Sequence, residues 1–147
     1  MSPLQVEIVC EDKEFMPVRA TSGSLGLDLK AKLDADEMML NPLETVKIKA
    51  GFCMAIPHGY HAKIVSRSGM SSKGIVVTNA PGIIDSDYRS DICVLLTNIG
   101  KFPYNLENKT RIAQMFFEKN IDTEFVQVTS LNQTERGAGG FGSTGVK

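Results

Sequence analysis

The alternation of apolar and polar residues between positions 46 and 56 narrows the possible folds of this chain most. Val46, Ile48, Ala50, Phe52, Met54 and Ile56 are apolar at every second position. Successive side chains of a strand point to opposite faces, so a period of two marks a half-buried β-strand. Tyr60, Ala62 and Ile64 repeat the pattern, as do Leu27, Leu29, Ala31 and Leu33, and again Ile92, Val94 and Leu96. Pro42, Pro57-His58-Gly59, Pro81-Gly82, Gly100 and Pro103 punctuate these runs as turns. Residues 112–117 and 125–128 read as further strands, and no window shows a 3.6-residue period. The expected fold is all-β, a jelly-roll-like barrel or sandwich of short antiparallel strands with little helix and a Gly-rich C-terminal arm. One β domain is expected over residues 1–135, followed by a flexible flap at 136–147.

Charge and cysteine usage exclude several classes of function. Lys and Arg number 16 against 17 Asp and Glu, for a formal charge of −1 without a long run of either sign. A nucleic-acid binder shows a basic stripe, which this chain lacks, so nucleic acid is not an expected partner. A small anionic ligand remains possible if a few placed cations, a metal or backbone dipoles hold it. No apolar run approaches the roughly 20 residues of a membrane span. The N-terminal stretch from Met1 is neither a signal peptide nor an Arg-rich transit peptide, which points to a soluble intracellular protein of cytoplasm or nucleus. Cys10, Cys53 and Cys93 fit neither a disulfide framework nor a zinc site and read as reduced core thiols. His58 and His61 form an H-x-x-H flanked by Pro57 and Gly59, better suited to a surface turn than to a metal.

Five segments carry chemistry. The last is Arg136-Gly-Ala-Gly-Gly-Phe-Gly-Ser-Thr-Gly145, with five glycines around one aromatic. Such a loop can turn backbone N–H groups and hydroxyls toward an anion while Phe141 packs on a planar ring. A disordered tail has the same composition. Its two G-x-G-x-x-G matches are not dinucleotide fingerprints, since no helix can start in the two residues after Gly145. Arg67-Ser-Gly-Met-Ser-Ser-Lys73-Gly74 follows a strand and suits either a polyphosphate loop or a polar turn whose serines bond their own backbone. In Asn79-Ala-Pro-Gly82-Ile-Ile-Asp85-Ser-Asp-Tyr88-Arg89, Asp85 follows an apolar pair and is expected to be shielded, placed as a general base for water. Asp85 and Asp87 are expected on one strand face, a pairing that without other sugar-binding features does not make a glycosidase. Asn79 offers an amide that can read a pyrimidine edge. Gly26-Leu-Asp28-Leu and Arg111-Ile-Ala-Gln114 add a carboxylate, a cation and an amide on two strands.

In this order, the five segments resemble the motifs of the homotrimeric deoxyuridine triphosphatase family, over about residues 15–145. The resemblance implies hydrolysis of dUTP to dUMP and pyrophosphate, which limits uracil incorporation into DNA and supplies dUMP for dTTP synthesis. It implies that Asp85 deprotonates the water attacking the α-phosphorus, and that Mg²⁺ is held by the phosphates and by waters gripped by Asp28 and Gln114. Arg67, Ser68 and Gly69 would hold phosphates, while Asn79, Gly82, Ile83 and Ile84 read uracil and Tyr88 presses on the deoxyribose. Phe141 would stack on the base, and Arg136, Gly142, Ser143 and Thr144 would close on the γ-phosphate. It further implies a homotrimer whose sites are shared between subunits.

The chain departs from the family pattern at Leu25, at Ser90 and at Lys109-Thr110, where Gly-Asp is usual. Arg89 is expected to be structural and paired with an acid such as Asp91. Two other readings compete: a dCTP deaminase of the same architecture, which typically lacks the flap, and a non-enzymatic binding protein switched by nucleotide.

Overall fold

The computed structural model describes residues 2–147; Met1, part of the N-terminal reading above, lies outside the described residues. Among the described residues twelve strands form, all paired antiparallel, in four sheets. A two-stranded sheet joins β1 (Glu7–Val9) to β6 (Cys53–Ala55). A three-stranded sheet has the order β5 (Thr45–Lys49), β10 (Cys93–Asn98), β8 (Ile75–Val77). β4 (Glu37–Leu40) pairs with β11 (Tyr104–Glu107). The largest sheet runs β2 (Val18–Arg19), β3 (Leu27–Lys30), β12 (Arg111–Lys119), β7 (Tyr60–Val65), β9 (Gly82–Ile84). The only α-helix among the described residues is one turn, α1 (Ser68–Ser71), beside a 3₁₀ turn at Lys13–Phe15.

The period-two reading succeeds because alternate residues do enter the core. Ala62 and Ile64 on β7, and Ile92, Val94 and Leu96 around β10, are essentially excluded from solvent. The run from 46 to 56 is two strands, however. Its alternation continues through a turn at Gly51, whose φ of +87° and contact with the Phe15 ring leave no room for a side chain. Cys53 and Cys93 are half-buried free thiols at the rim of the core, less enclosed than expected.

On β12, alternation fails where it matters. Ile112 and Ala113 are adjacent and both buried, because the register against β3 slips between Arg111 and Ala113. One extra residue in a strand shifts the side-chain parity that follows it. Arg111 and Gln114, three positions apart, thereby emerge on the same face, the face away from the core.

The expected strand at 125–128 does not form. Beyond the Asn120 N–H, which donates to the Gly59 carbonyl, residues 121–147 hold no strand or helix and bond only among themselves. Phe125, Val126 and Leu131 are open to solvent. A strand is completed only by a neighbour that accepts its hydrogen bonds, and the single chain offers none there.

Among the described residues Asn98, at the end of β10, is the one fully enclosed polar side chain of the core, and it ties the end of β4 to the turn between β10 and β11. Its amide nitrogen donates to the Leu40 and Phe102 carbonyls (2.9 and 2.8 Å), and its oxygen accepts from the Gly100 N–H (2.9 Å). Asn98→Asp replaces two donors with a charge facing two carbonyls. We expect a loss of more than about 2 kcal/mol, read as a lower urea midpoint with unchanged slope at fixed protein concentration.

Candidate active site

Three of the five motif segments converge on one carboxylate. Asp28 lies on β3 directly across from Gln114 on β12. Its Oδ1 meets the Arg67 Nε at 3.2 Å, and its Oδ2 meets an Arg111 guanidinium nitrogen at 3.4 Å. The Asp28 side chain is only 10 % exposed, so the two cations offset the cost of burying it. Arg67 also donates to the Arg111 carbonyl (3.1 Å), and the Gln114 amide donates to the Ser66 carbonyl (3.0 Å). The strand register places Asp28 and Gln114 across from each other, and Arg111 shares their face only through the bulge.

Gly26 sets the position of Gln114. A Cβ built on Gly26 would fall on the Gln114 side-chain oxygen, so the amide packs directly against bare backbone. Ser66, which the sequence did not single out, braces the same corner: its carbonyl holds Gln114, and its hydroxyl accepts from the Val77 N–H (2.8 Å). Nothing in the local sequence distinguished it from the other serines.

The polar segment after β7 forms the self-bonded turn of the second reading. Ser68 and Gly69 begin the single helical turn α1, and the Ser72 hydroxyl bonds back to the Gly69 carbonyl (2.9 Å). The same segment lines an open cavity of about 520 Å³ with Arg111.

The Asn79–Arg89 segment corrects several expectations. Gly82, Ile83 and Ile84 are β9, on the edge beside β7, and the Asn79 amide packs over Gly82 where a side chain would intrude. Asp85 is exposed rather than shielded, because β9 ends at Ile84 and nothing in the same chain covers the next residue. Asp87 shares no strand face with Asp85, since residues 86 and 87 form a turn. Arg89 donates to the Ser86 and Tyr88 carbonyls, which closes that turn, and Asp91 pairs with Lys49 instead (3.2 Å). The Tyr88 hydroxyl donates to the Asp91 carbonyl (2.9 Å). His58 sits in the turn before β7 as expected; His61 lies on the strand, held by Asn120 and Glu118.

Asp85 and Asp28 stand at opposite ends of the large sheet. Asp85 follows Ile84, which pairs with Ala62, which pairs with Phe117. From there to the Gln114–Asp28 row is about 13 Å along the strands and about 14 Å across three inter-strand spacings. The flap is further detached: Phe141 is fully exposed, and the Arg136 guanidinium bonds only to the Gly139 carbonyl (3.1 Å). One protomer therefore gathers part of the predicted residue set and holds the rest apart.

The dUTPase family model matches residues 12–145. The chain belongs to the dUTPase family. It is 43 % identical over 138 residues to the deoxyuridine 5′-triphosphate nucleotidohydrolase of Orientia tsutsugamushi (strain Boryong), covering 93 % of each chain. It is 44 % identical over 133 residues to that of Caulobacter vibrioides (strain NA1000 / CB15N), covering 89 % of this chain and 86 % of the relative. Its fold is similar to the dUTPase of Staphylococcus bacteriophage 80alpha solved with dUPNHPP, at a TM-score of 0.83 and 27 % identity over 97 % of this chain and 99 % of the other. The chain is an enzyme of dUTP hydrolysis with the expected all-β, jelly-roll-like fold. No helix is long and apolar enough to cross a membrane among the described residues.

Gly26→Ala tests the Gln114 support. The backbone there needs no left-handed conformation, so the damage is confined to Gln114, whose amide is displaced and whose Cβ, 3.0 Å from the added methyl, must give slightly. We expect a well-folded protein whose kcat/KM for dUTP falls by roughly tenfold or more, measured beside its thermal unfolding.

Proposed function

We propose that this enzyme cleaves dUTP to dUMP and pyrophosphate at a site shared between subunits of a homotrimer, with Asp85 as the general base. The observation that carries the reading is the separation of Asp85 from the Asp28–Arg67–Arg111–Gln114 cluster. Both sets must meet around one triphosphate, and no single protomer brings them together. A second copy can present its Asp85 edge to the cluster, and a third can reach over with its detached arm. An exposed Asp85 and an arm without contacts of its own support that arrangement.

Mg²⁺ fits the donor set as a hydrated ion. Among the described residues no group of three metal-ligating side chains exists, and Asp28 already shares its oxygens with two guanidinium groups. Such a set can grip waters of an ion that keeps several of them, as Mg²⁺ does, and cannot encage a bare one. Asp28 and Gln114 would hold it through water, and the bound ion would supply positive charge to the phosphate oxygens.

The chain's own residues do the rest. Arg67, Ser68 and Gly69 position the phosphates, and Arg136, Ser143 and Thr144 close on the γ-phosphate, with Gly142 letting the arm backbone turn left-handed (φ +83°). Phe141 covers the uracil, which Asn79, Gly82, Ile83 and Ile84 read along the open side of β9. Tyr88 lies against the deoxyribose. Asp85 takes the proton of the attacking water as its oxygen bonds to the α-phosphorus. The bond from that phosphorus to the bridging oxygen breaks, and pyrophosphate leaves. Positioning and charge neutralisation account for most of the acceleration expected at phosphorus.

Hydrolysis of dUTP in preference to dTTP, dCTP and UTP is expected in a pyrophosphate-release assay with Mg²⁺; equal turnover of dTTP contradicts the uracil assignment. Asp85→Asn should lower kcat by about 10²–10⁴-fold while retaining dUTP binding. Protomers carrying Asp85→Asn and protomers lacking residues 136–147 should each be nearly inactive alone. Subunit exchange between them should restore activity, and failure to do so in confirmed mixed trimers argues against shared sites.

A further inference from the structure

We propose that Lys109 is an additional phosphate-positioning residue of this enzyme, one that strengthens its hold on the substrate's polyphosphate tail and on the pyrophosphate product. This rests on the placement of phosphates beside Arg67 proposed above.

The cavity of about 520 Å³ at that corner is lined by Arg67, Lys73, Lys109 and Arg111, together with Ser72 and Tyr104 among others, and no carboxylate lines it. Asp28 sits behind, facing the two arginines. Among the described residues, Lys73 and Lys109 enter no ion pair, so their charge is unspent. Four cations around one opening suit a ligand bearing several negative charges on a short tail. In a chain of net charge −1, such a concentration is a local feature rather than a general basicity.

Lys109 holds its place at a conformational cost. Its φ is +68°, in the left-handed region where glycine is at ease and a lysine is not. The turn between β11 and β12 enforces this: the Lys109 N–H donates to the Ala31 carbonyl (2.8 Å), and the Ala31 N–H donates to the Thr110 carbonyl (2.8 Å). Asn108 pins the turn further, its side-chain oxygen accepting from the Leu33 N–H (2.9 Å). A glycine would meet every one of these backbone demands. A lysine adds only what its side chain does, and Lys109 is one of the residues that line the cationic cavity.

Lys109→Gly separates the two roles, since it eases the backbone and removes the charge. We expect a melting temperature equal to or above that of the parent. The KM for dUTP and the inhibition constant of pyrophosphate should each rise roughly tenfold, the scale of one charged hydrogen bond, with kcat changed less. The dissociation constant of dUMP should move little, and Lys109→Arg should restore tight pyrophosphate inhibition. Parental KM and pyrophosphate inhibition in Lys109→Gly overturn the proposal. If Arg67→Ala is impaired in that case, the phosphate placement stands and only the Lys109 role fails. If Arg67→Ala also behaves as the parent, the phosphate placement itself fails, and this inference with it.

Discussion

A buried carboxylate shared by two guanidinium groups holds three motif segments of this protein together. Asp28 is nearly enclosed and would be costly to desolvate alone. Arg67, arriving from the end of β7, and Arg111, from the start of β12, supply the compensating charge. The ion pairs thus fix three segments relative to one another. Both arginines also line the open cavity. The same arrangement keeps Gln114 beside Asp28, because the two are register partners across the sheet. Loss of the bulge on β12 would send Arg111 to the opposite face and leave Asp28 with one partner.

This economy explains how a near-neutral chain can serve a polyanionic substrate. Four of the 16 cations stand around one corner, and among the described residues Asp28 is the only acid paired with them. Electrostatic attraction between exposed charges fades within about 10 Å at 0.1 M salt, so local concentration counts for more than the net total. Elsewhere, three lysines are paired: Lys63 with Glu118, whose carboxyl it holds below the ordinary range, Lys49 with Asp91 and Lys30 with Glu14.

The other half of the molecule is defined by incompleteness. β9 is an edge strand with an exposed aspartate at its end, and the last 27 residues carry apolar side chains with nothing to cover them. An edge and an unpaired arm are liabilities in an isolated chain. The proposed trimer would use them as the surfaces through which copies meet.

How much was legible follows from the range of the forces involved. Strand period, turn residues and the order of the five motif segments are local properties, and the all-β fold and family membership were readable from them. That Asp28 and Gln114 lie on strands was readable too. The shielding of Asp85 was misjudged because two preceding isoleucines describe a strand but not what covers its end. The expected strand at 125–128 has the right residues and lacks a partner, and hydrogen-bond pairing is decided by neighbours in space. The Arg111–Asp28 pair needed a one-residue slip in register, and the partners of Arg89 and Asp91 needed the actual turn. The linear chain settles which residues can alternate, turn or carry charge, since those are properties of single residues and short windows. Which charges meet, and which edges stay open, depends on contacts between segments far apart in sequence, and these exist only once the chain has packed.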